Sequence, residues 1–189
     1  MRKFIGLLTL AGFSLAQPVG EVKDFRGRVD LLKGEALKAK PLEETDKRLE
    51  VKDILRTKSN GYAQVIFVDK NKVELFPNSR LRVVSYEKGK DVYVPTGIVK
   101  FEVNQLKEGE SFRVITPSAV IGVKGTVFYV YVNVLDTRVF VLSGSVIYRD
   151  VQTGKTLEIT PGRVRSLLKV DEPAPSTAQL QSTQVIDST

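Results

Sequence analysis

The chain has 189 residues, of which 42% are hydrophobic and 27% are charged, a composition that predicts one folded domain of moderate size. It has no cysteine and no histidine, which excludes a Ser-His-Asp triad, a cysteine nucleophile and the ordinary zinc and copper sites. Its formal charge is +7, but the basic residues are interspersed with acids along the sequence. The sequence has neither a basic stripe nor a nucleic-acid-binding motif, so we expect no nucleic-acid partner.

The N-terminus has the pattern of a cleavable secretory signal. Arg2 and Lys3 precede the uncharged apolar run 4–15, which ends among small residues and predicts cleavage between Ala16 and Gln17. The run is much shorter than the roughly 20 residues of a membrane-spanning helix. We therefore expect a periplasmic or secreted protein without a stable membrane span. The alternative is that the run forms a buried first element of a cytoplasmic protein.

From about Val19 to Val170, runs rich in Val, Ile, Phe and Tyr are broken at short intervals by Gly, Pro, Asn or Asp. This pattern predicts a chain built mostly of strands. The predicted strands are Tyr62–Val68, Val73–Phe76, Leu81–Val83, Ile98–Val103, Ser111–Ile115, Val127–Val134, Val139–Leu142, Val146–Tyr148 and Thr156–Ile159. Residues 38–51 contain helix-forming residues, but Pro41 favours a loop or one short turn there.

Alternation within the first of these strands places Ala63, Val65 and Phe67 on one face. Residues 69–72 then predict a hairpin turn, because the further oxygen ligands of a calcium loop are absent. Runs 127–132 and 139–142 are apolar on both faces, so we expect both to lie in the core, covered on both sides. Buried packing is therefore favoured over an aromatic platform for sugars or bases.

Turn residues recur at similar places in the predicted strands. Glycine stands ahead of a strand at Gly27, Gly97 and Gly144, and a Thr-Pro pair ends one at Thr116 and Thr160. This recurrence of turn residues predicts an all-β fold resembling a β-solenoid or β-roll, with a β-sandwich as the alternative. After Val170 the composition changes to Pro, Ala, Ser, Thr and Gln, which predicts a disordered tail.

No segment has the pattern of an active site or a cofactor site. Residues 122–126 end in Gly-Thr after a lysine, but a strand follows them instead of the helix that a phosphate loop requires. The acid pairs Glu43-Glu44 and Asp171-Glu172 lie in polar stretches where a solvated surface is favoured over acid–base chemistry. The expected protein is therefore non-enzymatic, without cofactor or metal.

Two ordered series of residues carry a family resemblance. Segments 51–57, 59–67 and 74–81 resemble the front half of a FecR-type domain, and segments 97–99, 112–128 and 139–146 resemble its back half. The most specific part runs from Thr116-Pro117 to Phe128. The candidate structural or binding motif within it is Thr116, Pro117, Gly122, Lys124, Gly125, Thr126 and Phe128.

The resemblance implies an extracytoplasmic, all-β domain without catalysis, whose best-known relatives relay iron-siderophore status from an outer-membrane receptor to a sigma factor. Family members usually have arginine where this chain has Lys124, which keeps the charge but lacks the planar guanidinium. Relaying members also carry a membrane span ahead of the domain, whereas this chain begins with a short signal. We therefore expect any such link to run through a separate membrane protein.

The predicted organisation is a signal peptide over 1–16, an N-terminal strand and loop region over 17–50, a FecR-like all-β domain over 51–170 and a tail over 171–189. The leading functional hypothesis is a binding or sensing domain for a protein partner or an envelope glycan. The alternatives are a regulatory sensor in iron-siderophore or other envelope signalling, and an enzyme that acts on polysaccharide through paired carboxylates.

Overall fold

Two layers of β-strands share one long strand in the computed structural model, which describes residues 17–165 and 172–173. These residues form strands and connecting turns without a helix, which confirms the predicted all-β class. The strands are β1 (Gly20–Arg26), β2 (Val29–Leu32), β3 (Lys40–Pro41), β4 (Arg48–Leu49), β5 (Ile54–Thr57), β6 (Tyr62–Phe67), β7 (Lys72–Leu75), β8 (Arg80–Tyr86), β9 (Gly89–Val103), β10 (Ser111–Ile115), β11 (Ala119–Val123), β12 (Thr126–Val132), β13 (Thr137–Ser143), β14 (Val146–Asp150), β15 (Thr156–Ile159), β16 (Arg163–Arg165) and β17 (Glu172–Pro173).

Strand pairing defines the two layers. Layer 1 has the spatial order β4, β1, β6, β7, the second half of β9, β12, β13, β16 and β17. Layer 2 has the order β3, β2, β5, β8, the first half of β9, β10, β11, β14 and β15. Neighbours are antiparallel except β9 and β10. The chain thus returns repeatedly to each layer, a winding that both the predicted solenoid and the predicted sandwich possess.

The hydrophobic core lies between the layers because successive strand residues point to opposite faces. Ala63, Val65 and Phe67 are all at most 2% exposed, which confirms the face predicted from the sequence. Rings from the two layers meet there: Phe67 stacks on Tyr86 with centroids 4.3 Å apart. Phe101 of layer 1 and Phe112 of layer 2 make an edge contact at 6.2 Å. Burying one such side chain contributes about 1.5–3 kcal/mol to folding.

Strand β9 crosses from layer 2 to layer 1 at Gly97. This residue has a φ of 101°, and a Cβ added to it would lie 2.3 Å from the Cα of Ser79. Only glycine combines that φ with that contact. The sequence predicted a strand from Ile98 onward with a glycine ahead of it, whereas the strand begins at Gly89 and the glycine lies inside it. Pro95, which obscured the first half, lies opposite an irregularity in the β8 pairing, where proline is tolerated.

The outer face of layer 1 is open to solvent, whereas the sequence predicted that two of its strands are covered on both sides. In β12, Phe128 and Val130 are fully buried, but Tyr129 and Tyr131, which alternate with them, are only half-buried. In β13, Leu142 is 44% exposed. The prediction that these two runs are covered on both sides is therefore wrong, because no described strand packs over the outer face. Tyr129, Tyr131 and Phe140 lie on this outer face, which solvent reaches.

Several other predictions can be compared with the strands. Residues 38–51, predicted as a loop or short turn, contain the two-residue strands β3 and β4. The turn after β6 joins it to β7 as a hairpin, as predicted. Strand β11 was not predicted. The signal 1–16 lies outside the described residues, and of the tail 171–189 only β17 lies within them, paired with β16.

Replacing Gly97 tests the layer crossing. We expect Gly97→Ala to lower the free energy of unfolding by about 3 kcal/mol, because the new Cβ meets backbone at a φ that strains alanine. The matched control is Gly89→Ala at the start of the same strand, where the nearest atom to a new Cβ is 3.8 Å away. Urea unfolding followed by circular dichroism measures both. Equal losses in the two variants would contradict the crossing.

Candidate functional site

The predicted motif follows the chain from layer 2 into layer 1. It runs from the end of β10, through β11 and a tight turn, into β12. Its two threonines are buried, and Phe128 stacks on Phe101 in the core with centroids 5.2 Å apart. Pro117 and Lys124 are the motif side chains that are exposed to solvent. Most of the motif thus serves the packing of the two layers.

Thr116 ties the β10–β11 turn to the opposite layer. Its hydroxyl accepts a hydrogen bond from the Ala119 backbone N–H at 2.9 Å. It also lies 2.8 Å from the Thr137 hydroxyl at the start of β13. The Ser118 hydroxyl joins the same group at 2.7 Å from Thr137 Oγ1. Buried backbone groups at a corner need such partners, because leaving one unpaired costs about 1–3 kcal/mol.

The turn between β11 and β12 depends on Gly125 and Thr126. Gly125 has a φ of 62°, and its position for a Cβ is occupied by the Gln105 side chain. The Thr126 hydroxyl donates to the Ser145 carbonyl at 2.8 Å, next to Gly144, whose φ is 81°. Gly122, by contrast, serves neither a turn nor a close backbone approach. It lies within β11 with ordinary backbone, and a Cβ there would have 3.8 Å of room.

Lys124 is the motif residue best placed to meet a partner. Its side chain is exposed, and no carboxylate of the described residues lies within 4 Å of its Nζ. An exposed lysine of this kind can contact a ligand, cover apolar surface or pair with a nearby acid. Pairing with an acid is not observed among the residues that the structure describes.

The front half of the fold repeats the use of buried hydroxyls at layer crossings. The Thr57 hydroxyl donates to the Phe76 carbonyl at 2.6 Å and accepts from the Ser79 N–H at 2.9 Å. The Ser79 hydroxyl donates to the Ile98 carbonyl and accepts from the Ile98 N–H, both at 2.9 Å. Corresponding corners in both halves are thus fixed by the same chemistry. Sequence reasoning missed this set because each bond joins residues 19–22 positions apart.

A polar cluster around the buried Lys90 joins the β6–β7 turn to β8, β9 and the loop before β10. Lys90 is 4% exposed and forms ion pairs with Glu110 at 3.1 Å and Asp69 at 3.6 Å. The Tyr86 hydroxyl donates to Asp69 Oδ1 at 2.9 Å. Burial raises the pKa of the Tyr86 phenol far above its usual range, so the phenol stays protonated and keeps donating. The cluster was not predicted, since its members are scattered along the sequence.

The outer face of layer 1 combines aromatic rings with paired charges. Lys72 bridges Glu74 at 3.0 Å and Glu102 at 3.1 Å, while Lys100 lies 2.7 Å from Glu102. Beside this network, the rings of Tyr62, Phe76 and Tyr129 form a row with centroid distances of 6.1 and 6.0 Å. Arg26 lies over the Tyr62 ring at 4.9 Å. The charges on this face therefore largely compensate one another.

The described residues offer no group of three or more acids close enough to hold a metal ion, and the chain has no histidine or cysteine to contribute. Among the same residues there is also no helix of the length and hydrophobicity that a bilayer crossing requires. The arrangement provides hydrogen-bonded corners, a packed core and two outer strand faces, and of these the outer faces are accessible to a partner.

Comparison with known proteins identifies relatives of this fold. The family model described as FecR protein matches residues 53–147. Two crystal structures of a candidate anti-sigma factor from Parabacteroides distasonis, both 19% identical, superpose with TM-scores of 0.57 and 0.58 and cover 70% of this chain. The chain spans 64% and 63% of the length of those two structures. Among curated proteins, no sequence matches.

Removing the Thr116 hydroxyl tests the corner chemistry. We expect Thr116→Val, which preserves shape, to lower the free energy of unfolding by about 2 kcal/mol because the Ala119 N–H loses its acceptor. Thr156→Val on the exposed surface of β15 is the matched control and should change it by less than about 0.5 kcal/mol. Denaturant unfolding of both variants decides the matter. An unchanged Thr116→Val protein would show that the hydroxyl is dispensable.

The ion pairs around Lys90 predict a pH-dependent stability difference. The Lys107 backbone N–H and the Lys90 ammonium hold the pKa of Glu110 below its ordinary value. A lowered carboxyl pKa stabilises the fold above the ordinary value, about 4.3, and this stabilisation is lost as the pH falls through the lowered pKa. The melting temperature of Glu110→Gln should therefore lie below that of the unmodified protein at pH 7, and the gap should shrink towards pH 3.

Glu87→Gln provides the control, because Glu87 is exposed and forms no ion pair within the described part of the chain. Its melting curve should follow that of the unmodified protein throughout the pH series. A Glu110→Gln deficit that stays constant from pH 7 to pH 3 would assign the effect to lost packing instead of charge.

Proposed function

The chain belongs to the FecR family, and we infer from this that it is a regulatory domain that recognises a protein partner outside the cytoplasm and passes on a signal. The observation that carries the inference is the family match over 53–147. This span includes the layer crossing at Gly97 and the back-half motif from Thr116 to Phe128. The proposal thus concerns the part of the chain whose corners are built from buried hydroxyls.

The regulatory reading has more support than a glycan-binding one. The family and the similar structures, described as a candidate anti-sigma factor, favour a protein partner. The aromatic row on layer 1 gives little support to sugar stacking, since Tyr62 and Phe76 are inclined at 75° and Phe76 and Tyr129 at 39°. Rings tilted in this way pack against each other and do not present one flat platform.

Export is part of the proposal. Cleavage between Ala16 and Gln17 would leave every described strand intact, because β1 begins at Gly20. The mature protein would then act in the periplasm or be secreted, and contact with any cytoplasmic regulator would pass through a membrane protein. Catalysis is not proposed, because the family is regulatory in character. Glu43 and Glu44 are also exposed to solvent, where acid–base chemistry is disfavoured.

Export and signalling can be tested together in the source organism. We expect deletion of the gene to change transcription of a discrete set of genes, measured by RNA sequencing, and expression of the full chain to restore them. The matched control is the same chain lacking residues 2–16, which remains in the cytoplasm and should not restore them. Equal rescue by both forms would contradict an extracytoplasmic role.

The same strains separate regulation from glycan binding. If deletion leaves transcription unchanged and the purified mature chain sediments with isolated cell wall, the glycan-binding function replaces the regulatory one. Sedimentation with cell wall is not expected for a domain that recognises a protein.

A further inference from the structure

A cluster of cations lies on the outer face of layer 2, across strands β5 and β8. Arg56 and Arg80 are directly paired cross-strand neighbours, and Arg82 follows on the same face of β8. Lys58 lies just beyond the end of β5 and shares a carboxylate partner with Arg56. We call Arg56, Lys58, Arg80 and Arg82 the arginine face.

The arginine face has more positive charge than its own acids balance. Asp30 bonds to Arg56 Nη2 at 2.6 Å and lies 3.4 Å from Lys58 Nζ. Burial raises the pKa of Asp30, but the hydrogen bonds from these two cations outweigh it and hold the pKa below its ordinary value, so Asp30 is ionised at neutral pH. Arg80 and Arg82 have no carboxylate within 4 Å among the described residues.

This excess contrasts with the opposite surface of the molecule. On layer 1 the lysines of β7 and β9 are bridged to Glu74 and Glu102, and Arg138 lies 3.1 Å from Asp136. The arginine face has four cations and one acid, Asp30, which pairs with Arg56 and Lys58. Neighbouring like charges on adjacent strands oppose folding, and an anionic partner would remove that repulsion.

Apolar surface lies beside the cations. A groove of about 140 Å³ runs along β2 and β5, lined by Leu32, Ala39 and Ile54 together with Asp30, Arg56 and Arg80. Farther along β8, Val84 is 42% exposed. A ligand that fits must therefore offer carboxylates to the arginines and a small apolar group to the groove. An extended peptide segment combines the two at strand spacing.

We propose that the arginine face binds an acidic, partly apolar peptide segment of a protein partner. Guanidinium groups suit this ligand because their planar fork binds a carboxylate through two hydrogen bonds. The inference rests on the proposed function, which supplies a protein partner, and it adds where that partner binds and by what chemistry. A lipid surface fits less well, since the carboxylate of Asp30 lies within the cluster and lines the groove.

A binding measurement on the purified mature chain tests the proposal. The probe is a short capped peptide in which glutamate alternates with serine and leucine, and its glutamine counterpart serves as the neutral reference. Isothermal titration at low salt should detect the glutamate peptide and not the glutamine one. We expect the double variant Arg80→Glu/Arg82→Glu to weaken binding at least about tenfold.

The matched control is Arg149→Glu/Lys155→Glu, which changes the net charge by the same amount as Arg80→Glu/Arg82→Glu. Lys155 is exposed in the turn between β14 and β15. Arg149 is an exposed, outward residue of β14 in the same layer, also without a carboxylate within 4 Å among the described residues, but distant from the groove. This control variant should change peptide affinity by less than about twofold. Circular dichroism checks that all variants remain folded, as expected for outward side chains.

Other outcomes overturn the proposal. Equally weakened peptide binding in both variants would show that affinity depends only on the net charge of the protein. Failure of the glutamate peptide to bind would show that the arginine face is not a peptide-binding site. Binding to vesicles containing phosphatidylglycerol, lost in the double variant while peptide binding is absent, would assign the face to lipid. If Arg80→Glu/Arg82→Glu restores the transcription response fully in a deletion strain, the regulatory function stands and the partner binds elsewhere.

Discussion

The crossing of β9 from one layer to the other is the constraint on which the rest of the structure depends. A single backbone supplies the central strand of both layers, so neither can form its pairing without the other. The crossing requires a φ near 100° and direct contact with Ser79. Gly97 can adopt this φ, and the hydrogen bonds between the Ser79 hydroxyl and Ile98 stabilise the contact with Ser79.

The same problem arises at other layer changes, and at several of them a threonine or serine hydroxyl solves it. A strand that leaves a layer exposes backbone groups inside the protein, where water cannot reach them. Thr57 and Thr126 each place a hydroxyl against such groups, and Thr116 does the same at the β10–β11 turn within layer 2. The most specific part of the family pattern is thus largely architectural. The proposed recognition therefore involves the outer faces. Layer 1 balances its charges, whereas Arg80 and Arg82 beside the groove of layer 2 have no carboxylate within 4 Å among the described residues.

Features whose pattern lies within one short segment of the sequence were predicted, whereas features that depend on distant residues were not. Strands with strict alternation, such as the one containing Ala63, Val65 and Phe67, were predicted because their pattern is complete within six residues. The first half of β9 was missed because Lys90 and Pro95 interrupt its apolar pattern. Lys90 is buried only because Asp69 and Glu110, which are distant in sequence, converge on it. No local pattern encodes such convergence.

Residue-resolved hydrogen exchange of the mature chain tests most directly whether the shared strand makes the two layers one cooperative unit. Val92 and Val99 lie on either side of the crossing and are both fully buried. If the account is correct, the slowest amides of both halves of β9 exchange with one common free energy, equal to that of global unfolding. Exchange of one half at a clearly lower free energy than the other would show that the layers open independently and would contradict the account.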